Sequence, residues 1–497
     1  MRSRPARALL ALAVTGLVIG VAGCSGSAPD TARPTLTKSP ADTVTVAAQQ
    51  DPAARAIRAS RALFASAPGA VLAPADDAAA IRHAASAARA AHVPVLLTDA
   101  SHSSGTDDGD TAVGAELARL DARWYQAEGD VDVDTGLERR DAPDATNAAE
   151  TTRASRPATV VVADRTADAA VVGTAQAAGA HVVTMPHGVT DPAAAPDVVN
   201  ALHAHRSSPT VLVGAAFAQL GDARWTVRAA ESGWQLPHGG QRPFDGHRYV
   251  ATYGAPGAPA LGVLGEQDPA ASVVRTKQLA ASYDGVSDEP VTPAFELIAT
   301  VAAGSAGTDG DYSSELPVSA LEPYVDAAHD AGMPVIIDLQ PGRADFLSQA
   351  KRYESLLKRP GVWLALDPEW RLGPDQVPLE QIGSVSATEV NQVSDWLAAL
   401  VRSEGLPPKA LVLHQFRLSM IQDRSALQSH PELDLLIHAD GQGSQPDKQA
   451  TWKALHADAP AGVHWGWKNF FDEDQPMLSP SQTMSEVAPT PSLVTYQ

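Results

Sequence analysis

The sequence predicts an α/β protein with two folded parts: an N-terminal Ala-rich α/β domain with a parallel sheet, followed by a (β/α)8 TIM-like barrel. Short apolar runs alternate with helical segments from residue 51 onward, which is typical of parallel sheets covered by helices. In the second half, eight strand–helix units fit into about 250 residues, the usual size of such a barrel. A chain of 497 residues is long enough for two or three domains.

The first 23 residues are typical of a bacterial signal peptide. Arg2, Arg4 and Arg7 precede an apolar stretch, Ala8–Val21, that is too short for an ordinary membrane-spanning helix. The sequence V-A-G-C that ends at Cys24 resembles the lipobox of bacterial lipoproteins. The resemblance implies cleavage before Cys24 and lipidation of its thiol, with palmitate among the acyl chains. We therefore expect an extracytoplasmic protein that is lipid-anchored to the bacterial cell membrane.

Composition restricts the possible partners. Cys24 is the sole cysteine, so the chain forms no internal disulfide and no multi-thiol metal site. Cleavage before Cys24 removes three arginines and no acid, which takes the net charge from −21 to −24. Such an acidic chain is not expected to bind nucleic acid, and we expect a monomer. Residues 24–50 are rich in Ser, Thr, Ala, Pro and Asp, a composition that predicts a flexible tether.

The α/β domain is predicted over residues 51–240. No G-x-G-x-x-G motif follows a strand there, so no dinucleotide cofactor is expected, and no other cofactor is predicted. Two polar, acidic stretches, 101–110 and 130–156, predict exposed loops. The predicted strands are Ala70–Ala73, Val93–Thr98, Thr159–Ala163, His181–Met185 and Thr210–Val213. The predicted helices are Asp76–Ala91, Ala167–Ala178 and Ala193–His205.

Three segments of this domain resemble the cell-wall-binding repeat 2 family. They are Arg55–Ala73, the strand V-P-V-L-L-T-D at 93–99, and E-L-A-R-L at 116–120. The resemblance implies non-covalent attachment to polymers of the cell wall. A purely structural α/β domain without a ligand is the alternative that the residues leave open.

The barrel is predicted over residues 247–497, with a short helix from Pro480 before the last strand. Its predicted strands are Tyr249–Gly254, Ala294–Val301, Pro334–Leu339, Val362–Asp367, Leu411–Phe416, Asp434–Ala439, Val463–Trp467 and Ser492–Tyr496. The other predicted helices are Ala270–Tyr283, Val318–Ala331, Ala344–Lys358, Ala387–Glu404 and Gln445–Ala457.

Polar side chains gather toward the C-terminal ends of these strands, although Glu296 and His464 come earlier. In a barrel, these ends open at one mouth, where the sites of this fold lie. An unpaired buried polar group costs about 1–3 kcal/mol. Core packing alone therefore does not explain why several strands carry polar side chains near the same end. The sequence therefore predicts a pocket. Its candidate substrate-binding residues are Tyr253, Glu296, Gln340, Arg343, Trp370, His414, Gln415, His438, His464 and Lys468.

The candidate catalytic residues are acids. Strand alternation at the end of V-W-L-A-L-D-P-E-W-R predicts that Asp367 and Glu369 share one face, about 6–7 Å apart. This acid-x-acid end of the fourth strand resembles barrel glycoside hydrolases, including chitinase-like and lysozyme-type muramidase barrels. The resemblance implies that Glu369 is the general acid and that Asp367 orients it and adjusts its pKa. Asp440 is the expected second carboxylate opposite, and Glu296 is a further option for this role. Asp338, on the neighbouring strand, completes the set.

The predicted activity is hydrolysis of a cell-envelope polysaccharide by a cell-surface lipoprotein, and that glycan is the predicted partner. Two alternatives remain open. His414, His438 and His464, with an aspartate, are candidate ligands for one Zn²⁺ or Mn²⁺ in a metal-dependent hydrolase. The other alternative is a barrel that binds cell-wall glycan without catalysis.

Overall fold

The structure is a computed structural model. The part of the chain that it describes comprises residues 35–36, 44–98, 108–131, 133–141 and 157–497. The predicted signal peptide, Cys24 and much of the predicted tether lie outside these residues, as does most of each predicted acidic loop. None of the described helices is both long and apolar enough to cross a membrane.

The last part of the predicted tether differs from the expectation. Val44–Ala47 forms a strand that pairs in parallel with Thr210–Val213, and Ala47 is fully buried. The prediction of flexibility rested on the average composition of residues 24–50. That average hid the β-branched run V-T-V, which suits a strand at the edge of a sheet.

The N-terminal half contains two four-stranded parallel sheets, with strand orders β5-β4-β6-β7 and β2-β10-β8-β9, and a short antiparallel pair, β1 and β3. One apolar core joins both sheets to helices α1, α2 and α4, which therefore lie between them. The strands are β1 (Thr35–Leu36), β2 (Val44–Ala47), β3 (Phe64–Ser66), β4 (Gly69–Pro74), β5 (Val95–Thr98), β6 (Trp124–Ala127), β7 (Glu138–Arg140), β8 (Thr159–Val162), β9 (His181–Thr184) and β10 (Thr210–Val213). The helices are α1 (Pro52–Leu63), α2 (Ala78–Ala91), α3 (Asp108–Leu120), α4 (Ala169–Ala177), α5 (Pro196–Ala204) and α6 (Ala223–Glu231).

Small residues allow these helices to pack closely. Asp51 and Asp77 accept backbone N–H groups at the starts of α1 and α2 and so define where these helices begin. A Cβ on Gly173 of α4 would lie 2.7 Å from the Cα of Ala85 in α2, so a larger residue there would separate the two helices. β7 lies inside a stretch predicted to be a loop, because its sequence E-R-R carries no apolar pattern.

The C-terminal half confirms the predicted TIM-like barrel. Eight parallel strands close into a ring in the order β11-β21-β20-β19-β17-β15-β14-β12, and β12 pairs with β11. The strands of this half are β11 (Arg248–Gly254), β12 (Val291–Ala302), β13 (Ser313–Glu315), β14 (Val335–Leu339), β15 (Val362–Leu366), β16 (Val385–Ser386), β17 (Lys409–His414), β18 (Ile421–Gln422), β19 (Leu433–Ala439), β20 (His464–Asn469) and β21 (Leu493–Tyr496). The helices are α7 (Pro269–Ala281), α8 (Val318–Asp330), α9 (Phe346–Arg352), α10 (Glu354–Leu357), α11 (Ala387–Glu404), α12 (Gln445–His456) and α13 (Pro480–Glu486).

The segment that connects the two halves closes one end of the barrel. Leu236 and Phe244 pack against Tyr249 and Trp363, which point inward near the N-terminal ends of β11 and β15. Arg242 in this segment pairs with an aspartate on each side, one before α5 and one in β19, at 2.7 and 3.0 Å. The barrel is therefore open only at the C-terminal ends of its strands, as far as the described residues show.

Candidate functional site

An open cavity of about 850 Å³ lies at the C-terminal ends of the barrel strands. Its walls combine apolar side chains, such as Phe416 and Phe470, with ionisable ones. The loop between β15 and β16 contributes Leu379 and Ile382 to one side. Seven residues predicted from the sequence line this cavity: Tyr253, Gln340, Asp367, Glu369, Trp370, Asp440 and Lys468.

Three carboxylates meet in this cavity. One oxygen from each of Asp367, Glu369 and Asp440 lies within 4.8 Å of the others. Strand alternation, the predicted reason why Asp367 and Glu369 lie close together, does not apply, because β15 ends at Leu366. Asp367 instead caps a single 3₁₀ turn, Pro368–Trp370, and accepts the backbone N–H of Glu369 at 3.2 Å. This turn, rather than the pleat of a strand, places Glu369 beside Asp440.

His414 lies deeper in the barrel than the cavity and fixes the position of Asp440 through a hydrogen bond. Its imidazole is fully buried, with Nδ1 3.0 Å from Asp440 Oδ2 and Nε2 2.8 Å from Glu296 Oε1. Burial lowers the pKa of His414, but the charges of Glu296 and Asp338 and the bond to Asp440 outweigh it and raise that pKa well above its ordinary value. The ring is therefore an imidazolium that donates from both nitrogens, which fixes the Asp440 carboxylate in place.

The environment moves the pKa values of the acids in opposite directions. Burial, followed by the charge of Asp440, raises the pKa of Glu369 to about 7. Burial also raises the pKa of Asp440, but the hydrogen bond and charge of His414 outweigh it, so this pKa lies below its ordinary value. The pKa of Asp367 is well above its ordinary value because of burial and the neighbouring carboxylates. Near pH 7 a substantial fraction of Glu369 therefore carries a proton beside an ionised Asp440, so Glu369 is a proton donor there.

Asp338 is fully buried behind the cavity wall and supports Tyr253, which lines the cavity. Its Oδ2 accepts the hydroxyl of Tyr253 at 2.8 Å, and Gln340 Nε2 donates to the same hydroxyl at 3.3 Å. Burial raises the pKa of Asp338 to about 6. The ammonium of Lys468 lies 3.5 Å from the centre of the Tyr253 ring. Asp338 therefore contacts the site through Tyr253 and does not itself line the cavity.

Three residues predicted for the site lie elsewhere. His464 starts β20 and lies at the closed end of the barrel, 5.0 Å from the ring of Phe244. The guanidinium of Arg343 stacks on Tyr312 and donates to the carbonyl of Gln376, outside the cavity. The amide of Gln415 is buried and accepts from the guanidinium of Arg424 at 3.0 Å. None of these three side chains lines the cavity, because position near a strand in the sequence does not specify which end or which side of the strand a residue occupies.

The positions of His414, His438 and His464 also exclude the alternative in which these three histidines bind one metal ion. Both ring nitrogens of His414 face carboxylates, and His464 is at the other end of the barrel. His438 Nε2 lies 3.1 Å from the Thr495 hydroxyl, and burial together with the charge of His414 lowers the pKa of His438 well below its ordinary value. Among the described residues, the groups close enough to share a cation are instead two carboxylate sets: Asp367 with Glu369 and Asp440, and Asp309 with Asp311 and Glu315.

Some residues of the site were not predicted. Thr495 points inward on β21, and alternation from the buried Leu493 would have indicated it. Arg417 and Lys448 also line the cavity, but they come from a loop and from α12. No strand pattern reaches them, so only their position in space identifies them.

No protein-family model and no curated protein matches the chain. Among solved structures, the chain is similar to Cwp6 from Clostridium difficile, with 10% sequence identity and a TM-score of 0.28. The similarity covers 65% of this chain and 62% of Cwp6, so the chain spans less than two thirds of the length of that protein.

Proposed function

We propose that the barrel is a glycoside hydrolase that acts on a polysaccharide of the cell envelope. The observation that carries the proposal is the pair of Glu369 and Asp440 in the cavity, with oxygens within 4.8 Å and pKa values shifted in opposite directions. Glycoside hydrolases use such a pair, one carboxyl group protonated and the other ionised.

One oxygen of each carboxylate lies within 4.8 Å of the other, and this close approach supports a proposal of retained configuration. Retaining enzymes have carboxyl groups about 5–5.5 Å apart, whereas inverting enzymes need about 6.5–9.5 Å to accommodate a water. In the proposed first step, Glu369 protonates the glycosidic oxygen as Asp440 attacks the anomeric carbon, and the C–O bond to the leaving group breaks. In the second step, Glu369 takes a proton from water, whose oxygen attacks the anomeric carbon and releases Asp440.

The other residues of the cavity suit this chemistry. Asp367 keeps the Glu369 turn in place through its 3.2 Å bond to the Glu369 N–H. His414, held by Glu296, orients Asp440 and stabilises its negative charge. Trp370, Phe416 and Phe470 offer apolar faces of the kind on which the C–H faces of sugars pack.

The proposal includes the cell location predicted from the sequence. Attachment through a lipid on Cys24 would hold the protein at the outer face of the membrane, and the N-terminal α/β domain would contact wall polymers. Together these would keep the barrel next to its substrate. Labelling of cells with a palmitate analogue, compared between the natural chain and Cys24→Ser, tests the anchor.

The activity is tested with the detergent-solubilised chain and fractionated envelope glycans. We expect new reducing ends with the natural chain and release that is slower by about 10²–10⁴-fold with Glu369→Gln. NMR of the first product should show the anomer of the substrate. Equal release by both proteins, or no release from any glycan fraction, would rule the hydrolase out.

A second candidate is a hydrolase in which a divalent cation binds Asp367, Glu369 and Asp440, since these oxygens lie close enough to share one. The same assay with a chelator separates the two candidates. Activity that survives dialysis against chelator favours the acid pair, whereas activity that is lost and then restored by a metal favours the cation.

A further inference from the structure

Lys468 differs from the other buried lysines of the barrel. Lys409 donates to two backbone carbonyls at 2.9 and 2.7 Å, and Lys448 contacts Asp474 Oδ2 at 2.6 Å and a carbonyl at 2.7 Å. Lys468 is only 4% exposed, yet its ammonium makes no hydrogen bond and no ion pair within 4.0 Å to any described residue. The charges of Glu369 and Asp440 act on this ammonium through space, but its N–H groups remain free to donate to a group that enters the cavity.

The ammonium of Lys468 is oriented toward the cavity. The residue faces inward on β20 and lines the cavity wall, and its Nζ lies over the ring of Tyr253 at 3.5 Å and 5.1 Å from the ring of Phe470. An aromatic face attracts a cation but leaves its N–H groups available for hydrogen bonds. A group that accepts hydrogen bonds from Lys468 would therefore lie in the cavity.

A second cation stands at the rim of the same cavity. Arg417 is exposed, lines the cavity and lies over the ring of Phe416 at 5.8 Å. Like the ammonium of Lys468, its guanidinium forms no ion pair within 4.0 Å with any residue that the structure describes, and both cations act on Glu369 only through space. Two cations without a direct ion pair thus stand in the cavity beside the candidate catalytic acids, and an anionic group of a substrate could contact both of them.

We propose that the substrate carries an anionic substituent, a carboxylate or a phosphate, which accepts hydrogen bonds from Lys468 while Arg417 contacts it from the rim. This inference rests on the proposed hydrolase function and names its substrate class. The shared chemistry is an anionic oxygen group on a sugar. Acidic sugars and phosphate-bearing glycans both supply it.

The test measures binding by calorimetry with Glu369→Gln, which lacks the general acid and cleaves the glycan far more slowly. The probes are oligosaccharides of equal length that are neutral, carboxylate-bearing or phosphate-bearing. We expect at least one anionic probe to bind about 10- to 100-fold tighter than the neutral one, the range expected for a buried charge-assisted hydrogen bond. The two anionic probes distinguish the two sources of the charge.

Lys468→Met, added to Glu369→Gln, should remove this preference, so that it weakens the anionic probe far more than the neutral one. The matched control is Lys453→Met, the same substitution at an exposed position of α12. Lys468→Arg keeps the charge and should keep part of the preference. Should the methionine variant fold poorly, added salt provides a second measurement, because it should weaken the anionic probe selectively.

Equal affinity of neutral and anionic probes would overturn the inference. So would a methionine variant that weakens all probes alike, since Lys468 would then only balance the nearby carboxylates. These outcomes are independent of turnover. A protein that prefers anionic glycans but releases no reducing ends would retain the inference and lose the proposed hydrolase.

Discussion

The two ends of the barrel interior are built from the same strands but carry different side chains. At the closed end, Tyr249 and Trp363 meet edge to face with ring centres 5.1 Å apart, and Phe244 of the connecting segment covers them. At the open end, Tyr253 on β11 and Asp367 directly after β15 face acids, imidazoles and a lysine. Strand alternation explains why both sets point inward, and it does not distinguish them.

The difference shows which substitutions should affect stability and which should affect activity. Aromatic rings at the closed end bury apolar area and leave little empty space, so their loss is a loss of folding free energy. Ionisable groups at the open end are held at unusual pKa values, which costs stability and suits catalysis. Substitutions at each end therefore test this division of roles.

The largest effect is expected at the open end with Asp440→Asn. An amide does not form the proposed glycosyl ester, so the turnover rate should fall by about 10⁴-fold or more. Rates of reducing-end release measure it. Asp423→Asn is the matched control, because Asp423 is exposed and asparagine tolerates its left-handed backbone, φ 55°. Comparable loss in both variants would contradict the role of Asp440.

Glu369→Gln should slow the reaction by about 10²–10⁴-fold, the range for general acid catalysis. The loss should be much smaller for an aryl glycoside whose leaving group needs no proton. The comparison of turnover for the natural and the aryl substrate measures this. An equal loss for both substrates would mean that Glu369 does something other than donate a proton.

At the closed end, Phe244→Ala should lower the free energy of unfolding by about 3–5 kcal/mol, because it leaves a cavity above Tyr249 and Trp363. Denaturant titration measures it. The turnover rate of the folded fraction should stay unchanged. A variant with normal stability and low activity would erase the distinction between the two ends.

The pH dependence of kcat/KM should follow the two acids. Glu369 must be protonated and has a pKa of about 7, so kcat/KM should fall about tenfold per unit above pH 7. Asp440 must be ionised and its pKa is lowered, so the acid limb should lie below the ordinary aspartate value of 3.8. The alkaline limb should disappear in Glu369→Gln, and its persistence there would assign it to another group.

The smallest effect is a gain in stability for Asp367→Asn. The pKa of Asp367 is raised in the folded protein, so its ionisation opposes folding once the pH rises above the unfolded value, and the amide avoids this cost. We expect a gain of about 1 kcal/mol at pH 8 that disappears below about pH 4. Denaturant titrations at both pH values measure it. A loss of stability at pH 8 would mean that Asp367 stabilises the fold as an anion.

Much of the fold could be predicted, because the barrel strands are apolar, evenly spaced and separated by amphipathic helices. The strand predicted at Val362–Asp367 is observed at Val362–Leu366, and helix Ala387–Glu404 has the predicted bounds. β2, β6 and β7 were missed, because strands of three or four residues are too short to form a clear apolar pattern. The lipid anchor on Cys24 stays a prediction, since it lies outside the described residues.

The candidate site was predictable in part. Residues that follow a strand, such as Asp367 and Asp440, converge because parallel strands end at one mouth. The bond from His414 to Glu296, 118 residues earlier in the chain, depends on the register between strands, which periodicity does not reveal. The register between strands also explains the glycine at position 466. A Cβ there would lie 2.2 Å from the ring of His438 on the neighbouring strand.

The sequence by itself determined the period of each element, the inward face of each strand and the acidic character of the chain, because these are properties of neighbouring residues. The tertiary structure alone decided which end of the barrel is covered, which carboxylates share one cavity and which lysine lacks a partner. Those outcomes depend on strand register and on a connecting segment and loops that pack over long sequence distances. The same inward-facing pattern therefore becomes an apolar core near Phe244 and a set of ionisable groups near Glu369.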